Sequence, residues 1–174
     1  MNNPVLRHGL VAGGVLSAMM LATHPFLERI GFSLGTVIGY TTMVVAFLMV
    51  YFGARAWRDQ RCGGRIGFWH AFGVGMGIVA VATVCYVATW ELIYFGLMPD
   101  FADQYAAYAL DQARQAGATD AQLAATARQM AEFKEMYRNP LINIAFTVLE
   151  PLPVGLLFAL GSAGLLSRQR TPAQ

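Results

Sequence analysis

The sequence predicts an all-α integral membrane bundle of four transmembrane helices, with an extracytoplasmic helical hairpin between the third and the fourth. Two observations carry this. Four apolar stretches, at 5–23, 34–54, 67–98 and 141–166, hold most of the hydrophobic residues, and nearly every charge lies between or beyond them. A hydrocarbon core about 30 Å thick needs roughly 20 apolar residues per crossing helix, which the stretches supply, the first by the smallest margin. Composition agrees: 56% of residues are hydrophobic and 13% charged, against roughly 25% charged in a soluble domain. One membrane domain spanning 1–174 accommodates four spans and a polar insertion at 99–140. The lipid bilayer is the expected partner, and a net charge of +2 gives nucleic acid no footing.

The first span follows Arg7 and runs from Leu10 to Ala22 in a form that a secretory signal also shares. Gly13 and Gly14 are ordinary in a packed membrane helix, so the segment is read as a retained span. Small residues recur four apart on every span: Gly9, Gly13 and Ser17; Gly35 and Gly39; Gly67, Ala71 and Gly75; Gly155, Ala159 and Ala163. That spacing puts them on one face, where backbones can approach closely. Packing within the bundle is the expected use, with a homo-oligomer seam as the alternative. On the third span Trp69 and Trp90 stand 21 residues apart, about 31 Å along a helix, the separation of the two interfaces where Trp collects. The apolar run continues to Met98, so this helix is expected to project beyond the membrane. Trp57 is expected at the opposite interface.

Charge sets the orientation. Arg7, Arg55, Arg58, Arg61, Arg65, Arg168 and Arg170 share one side with a single acid, Asp59. The other side carries Glu28, Arg29 and an insertion with six acids and four bases. Lys and Arg in short loops stay cytoplasmic, which predicts both termini inside and the insertion outside.

The insertion reads as two helices. Phe101, Tyr105 and Tyr108 recur at helical spacing after Pro99, and Gly117 is a C-terminal stop. Thr119 with Gln122 matches a capping box, followed by a stripe of Leu123, Ala127, Met130, Phe133 and Tyr137. Asn139 and Pro140 suit the N-cap and first turn of the fourth span. The two stripes are expected to pack on each other or on the bundle, with a protein partner or lipid headgroups as the other counter-surfaces.

Chemical motifs are sparse. There is no phosphate-binding glycine loop, no His-Glu-x-x-His and no Cys-x-x-Cys, so no catalytic residue, metal site or cofactor is assigned and no enzyme is expected. Cys62 in the basic link and Cys85 within span three are placed too far apart for a disulfide. His8 and His70 are expected near the inner interface and His24 near the outer one. Two carboxylates break the partition of charge. Glu91 follows Trp90 at the outer headgroup level, within reach of Arg29 or a hairpin cation. Glu150 lies about 13 Å along the axis from Leu141, well inside the membrane. An ionised group near the bilayer centre costs about 2.5–3.5 kcal/mol, so Glu150 should be neutral, paired or facing a wet cavity. Pro151 and Pro153 after it cannot donate backbone hydrogen bonds, which predicts a kink. Either Glu150 bonds to Tyr40, Thr41 or Thr42 and holds the kinked helix in register, or it forms an intramembrane polar site with Glu91 and His24 near an outward mouth.

The last helix, Glu150-Pro151-Leu152-Pro153-Val154-Gly155-Leu156 through Leu160, Gly161, Ser162, Ala163 and then Arg168, resembles the bacterial membrane family catalogued as domain of unknown function 4199. The likeness covers about residues 5–170. It implies an inner-membrane location and four helices, and it brings no activity or catalytic residue. The leading functional expectation is a non-enzymatic interaction or structural protein that uses its bundle and hairpin to engage a protein partner or itself. The alternative is a small-solute or proton-linked channel or carrier with an outward pocket around Glu150.

Overall fold

The computed structural model describes residues 3–168; Arg170 and the side chain of Glu28 lie outside the described residues. Among these, every regular element is helical: α1 Pro4–Thr23, a 3-10 turn His24–Phe26, α2 Leu27–Arg61, α3 Phe68–Leu92 with a π-helical extension Ile93–Leu97, α4 Phe101–Gln115, α5 Asp120–Tyr137, α6 Pro140–Leu149 and α7 Leu152–Arg168. Four segments are long and apolar enough to cross a membrane: Pro4–Phe26, Arg29–Arg61, Phe68–Leu97 and Pro140–Arg168. The chain is thus a multi-pass membrane protein by length and composition of its helices.

Two boundaries differ from the sequence expectation. The second helix was expected to end with its apolar run at residue 54, yet α2 continues to Arg61 and carries Arg55, Arg58 and Arg61 on its last turns. Hydropathy marks where lipid ends, whereas these residues have good helix propensity and their charges complement the C-terminal end of the helix dipole. The first hairpin is also not an open loop. Pro25 enters the 3-10 turn, and Gly31, at φ 77°, breaks the start of α2 so that the long helix proper begins at Phe32. A side chain at that φ would be strained, which is why the break sits on a glycine.

α3 is the central helix, packed against α1, α2 and α7. Its core face includes Ala71, Ile78, Val79 and Ala82, each 0% exposed, meeting Ala12, Phe47, Val50, Ala159 and Ala163. Three of the small-residue stripes pack within the bundle as expected, except that Gly67, the N-cap of α3, has nothing within 4 Å of its Cβ position. A Cβ on Gly9 would stand 2.6 Å from Val81, and one on Gly13 2.6 Å from Cys85. One turn further, Ser17 donates to the Cys85 carbonyl at 3.4 Å and accepts from Thr89 at 2.7 Å. On the other flank Gly155 abuts Val79, and Gly75 faces Ala159 and Val50. The second stripe departs from the expectation: Gly39 has nothing within 4 Å of its Cβ position, and Gly35 meets only Leu27 of its own helix.

The basic end of the bundle is closed by side chains. Trp57 donates its indole N–H to His70 at 3.2 Å, Arg61 lies over the Trp57 ring, and Asp59 pairs with Arg58 at 2.8 Å and Arg55 at 3.8 Å. At the other end α4 and α5 pack along one another. Tyr105 meets Phe133, Lys134 pairs with Asp103, and the capping box of Thr119 and Gln122 starts α5. Their stripes also close on the bundle: Phe32 contacts Phe101, Tyr105 and Tyr108 at 5.2–5.7 Å, and Tyr137 contacts Tyr94 at 5.3 Å.

These close approaches set a test. Gly13→Ala should destabilise the bundle by about 1–3 kcal/mol through overpacking against Cys85. Gly161→Ala, where open space surrounds the Cβ position, should be neutral or mildly stabilising. Thermal unfolding in one detergent compares them, and equal melting temperatures for the two variants would contradict the packing described.

Candidate functional site

The site begins with a broken helix. Pro151 has no N–H to donate, so α6 ends at Leu149, and α7 restarts with Gly155 donating to the Pro151 carbonyl at 2.9 Å. The kink expected at Glu150, Pro151 and Pro153 is found as a gap in the helical hydrogen bonding at Glu150 and Pro151, with Glu150 itself still at helical angles (φ -65°, ψ -53°). Pro151 is fully buried, whereas Glu150 keeps accessible surface. Carbonyls that lose their helical partner to a proline at membrane depth are tolerated where protein or a cavity surrounds them.

Glu150 does not reach α2. Its Oε2 accepts from the Tyr86 hydroxyl of α3 at 2.7 Å, the one hydrogen bond to this carboxyl among the described residues. The expected partners on α2 are occupied locally or turned away: Thr41 donates to the Val37 carbonyl, Thr42 donates to the Ile38 carbonyl, and Tyr40 is 45% exposed. Threonines in membrane helices satisfy themselves on the preceding turn, so the donor comes from the phenol facing them across the bundle.

Beside this pair runs a second polar connection. Asn143 of α6 is 0% exposed. Its Oδ1 accepts from the Trp90 indole at 3.0 Å, and Thr147 donates to the Asn143 carbonyl at 2.9 Å. Asn143 Nδ2 donates to the Tyr137 carbonyl at 3.5 Å, tying α6 to the end of α5. Burial pushes the Tyr137 phenol above its ordinary range, so it stays neutral at physiological pH. Sequence reasoning missed Tyr86, Asn143 and Thr147. The available signal was their polarity within otherwise apolar runs, four residues apart for Asn143 and Thr147.

Glu150, Tyr86, Trp90 and Tyr137 border a cavity of about 260 Å³ between α1, the 3-10 turn, the first half of α2, α3 and the aromatic cover from α4 and α5. Most of its wall is apolar, with Leu16, Met20, Ile38 and Ile93 among the lining residues. Gly35 and Gly39 also face it, which explains why they have no helix packed on them: their missing side chains make the space. Glu150 lies in one wall and His24 in another, and the His24 Nε2 is buried without a partner among the described residues. Glu91 does not line this cavity. Its Oε1 is buried and unpartnered among the described residues, and no ion pair joins it to Arg29 or an insertion cation. The three sequence candidates thus divide, with two on the cavity and one apart.

A second cleft, about 290 Å³, adjoins the first through His24, Leu27 and Met98 and adds Asp100 and Gln104 to its rim. Both cysteines are free, and the described residues contain no group of His, Cys, Asp and Glu arranged to hold a metal ion.

A family model described as "Protein of unknown function (DUF4199)" matches residues 7–168. No curated protein and no solved structure matches the chain.

The buried amide yields a direct test. Asn143→Ala leaves the Trp90 N–H without its acceptor and should cost about 1–3 kcal/mol. Adding Trp90→Phe should recover part of that loss in a double-mutant cycle. Strictly additive effects in detergent unfolding would show that the pair is not coupled.

Proposed function

Because the chain belongs to the DUF4199 family of proteins of unknown function, we propose its function from its own geometry: a non-enzymatic carrier that binds a small molecule in the Glu150 cavity. One observation carries the reading. The single carboxyl at the proline break lies in the wall of a mostly apolar cavity that Gly35 and Gly39 also line, with no neighbouring helix against either glycine. Pockets of this kind, apolar with a few placed polar groups, are where proteins hold small ligands. Interrupted helices are likewise where membrane carriers build their sites, since the break supplies polar groups within the membrane.

The break also provides a way to move. α6 is attached to α5 through the Asn143–Tyr137 hydrogen bond and to α3 through the Asn143–Trp90 hydrogen bond, and it joins α7 at Glu150 and Pro151. Displacement of α5 and α6 as a unit would shift Glu150 and the Tyr137 part of the cover together, in exchange for the Asn143–Trp90 bond to α3.

The location that fits is a bacterial inner membrane, with both termini cytoplasmic and α4 and α5 forming an extracytoplasmic hairpin. The arginine-rich end of α2 and the acidic insertion support this orientation. The alternative, a structural or interaction protein acting through the hairpin stripes, retains the Leu123 end of α5. Phe133 and Tyr137 are already engaged by Tyr105 and Tyr94, which favours the cavity.

Two measurements test this. Gly39→Leu places a side chain in the cavity, so compounds that raise the melting temperature of the native protein should lose their effect in the variant while helicity is retained. A compound screen in which every stabilising hit acts equally on Gly39→Leu would refute the pocket. For orientation, Asp120→Cys should react with a membrane-impermeant maleimide in intact cells, and Arg65→Cys only after lysis; the reverse pattern overturns the assignment.

A further inference from the structure

We infer that the occupant of this cavity is a monovalent organic cation with a compact apolar body, of the alkyl- or aryl-ammonium class. The inference rests on the reading of the cavity as a binding site and adds the charge of its ligand.

The donor and acceptor groups of the wall decide it. Among the described residues Glu150 is the one acidic side chain lining the cavity, and no Lys or Arg among them lines it. An anion would need hydrogen-bond donors, and most of those present are spent. Thr23, Thr36 and Thr42 donate to carbonyls of their own helices. Tyr86 donates to Glu150, and the Trp90 indole donates to Asn143. The Tyr137 hydroxyl and the His24 ring are the remaining polar hydrogens in the wall. Groups that have given up their hydrogens present oxygen lone pairs, which favour positive charge.

Ring faces add to this. Phe32, Trp90, Phe101 and Tyr137 all line the cavity, with Trp90 and Phe101 edge-to-face at a centroid separation of 4.9 Å. Aromatic walls beside a carboxylate are the arrangement that holds ammonium groups, because the ring face is electron-rich. A cation resting against Glu150 would also solve the cost of an ionised carboxyl at this depth, which the Tyr86 bond alone answers on one oxygen only. Size limits the ligand. About 260 Å³ lies just below the range of roughly 300–1,000 Å³ common for small-molecule pockets, so one ring or a few short alkyl groups fill it. The adjoining cleft brings Asp100 to the approach, so the path inward carries a second negative charge.

The test uses the full-length protein in lipid nanodiscs and a matched pair of probes: benzyltrimethylammonium and its uncharged carbon isostere, neopentylbenzene. Gly39→Leu serves as the blocked control for binding outside the cavity. The expected result is cavity-dependent binding of the cation at least about tenfold tighter than that of the isostere, a margin that cation–π and ion-pair contacts supply. In Glu150→Gln that ratio should fall toward one while the isostere still binds, showing that the variant is folded. Tyr86→Phe provides a second variant, and it should retain the preference because the carboxyl remains. Equal binding of both probes to the native protein overturns the cation assignment and leaves the cavity as a binding site. Preference for the isostere overturns it likewise. Failure of both probes to bind in a Gly39-dependent way, with a third, unrelated compound binding there, overturns the ligand class alone; failure of all compounds overturns the site itself.

Discussion

The structure depends on how closely α1 and α7 approach α3. At Gly9, Gly13 and Gly155 no side chain separates the helices, and a single added carbon would meet Val81, Cys85 or Val79 well inside contact distance. Lipid tails are as apolar as leucine, so exclusion from water does not drive helices together within a membrane; close backbone approach and van der Waals contact do. Those contacts make α1, α3 and α7 a tight unit. α2 joins that unit through Met43, Phe47 and Val50 in its second half, whereas in its first half Gly39 faces open space and Phe32 rests on α4. The cavity is the gap that this uneven seating leaves.

The aromatic cover follows from the same gap. Phe32, at the start of the regular part of α2, stands free of the core and is enclosed by Phe101, Tyr105 and Tyr108 of α4. Tyr137 closes the other side against Tyr94 and Phe146. Rings of this size bury large areas and tolerate several edge and face geometries, which suits a lid that must seal without interlocking. The Asn143 amide links α6 to both the cover and the core, because it touches the indole of α3 and the last carbonyl of α5 together.

Polar groups within the spans differ in how they are satisfied, and Thr83 Oγ1 and Glu91 Oε1 have no partner among the described residues. Ser17, Thr89, Asn143 and Thr147 are satisfied by one another or by nearby carbonyls and serve as interhelical links. Glu150 keeps one oxygen bonded to Tyr86 and accessible surface in the cavity. A carboxyl that served structure alone would be expected to have both oxygens engaged, since each unsatisfied lone pair in an apolar wall costs free energy. Its position beside two prolines removes the helical backbone bonds that would otherwise bury it.

Much of this was legible along the chain. The four spans, the Thr119 capping box, the Asn139 cap, the kink at Pro151 and the exceptional status of Glu150 all follow from local chemistry: transfer of a side chain to lipid, a missing N–H, a hydroxyl three residues before an amide. These terms depend on neighbours a few residues away, so the sequence alone determines them. The partner of Glu150, the separation of Glu91 from His24, and the opposite uses of the Gly9–Gly13 and Gly35–Gly39 pairs were decided only by tertiary structure. Each depends on which helix face meets which, and identical small-xxx-small spacing permits either contact or cavity. That choice is made by the joint packing of all the helices, where one close seating on α3 leaves another face without a neighbour.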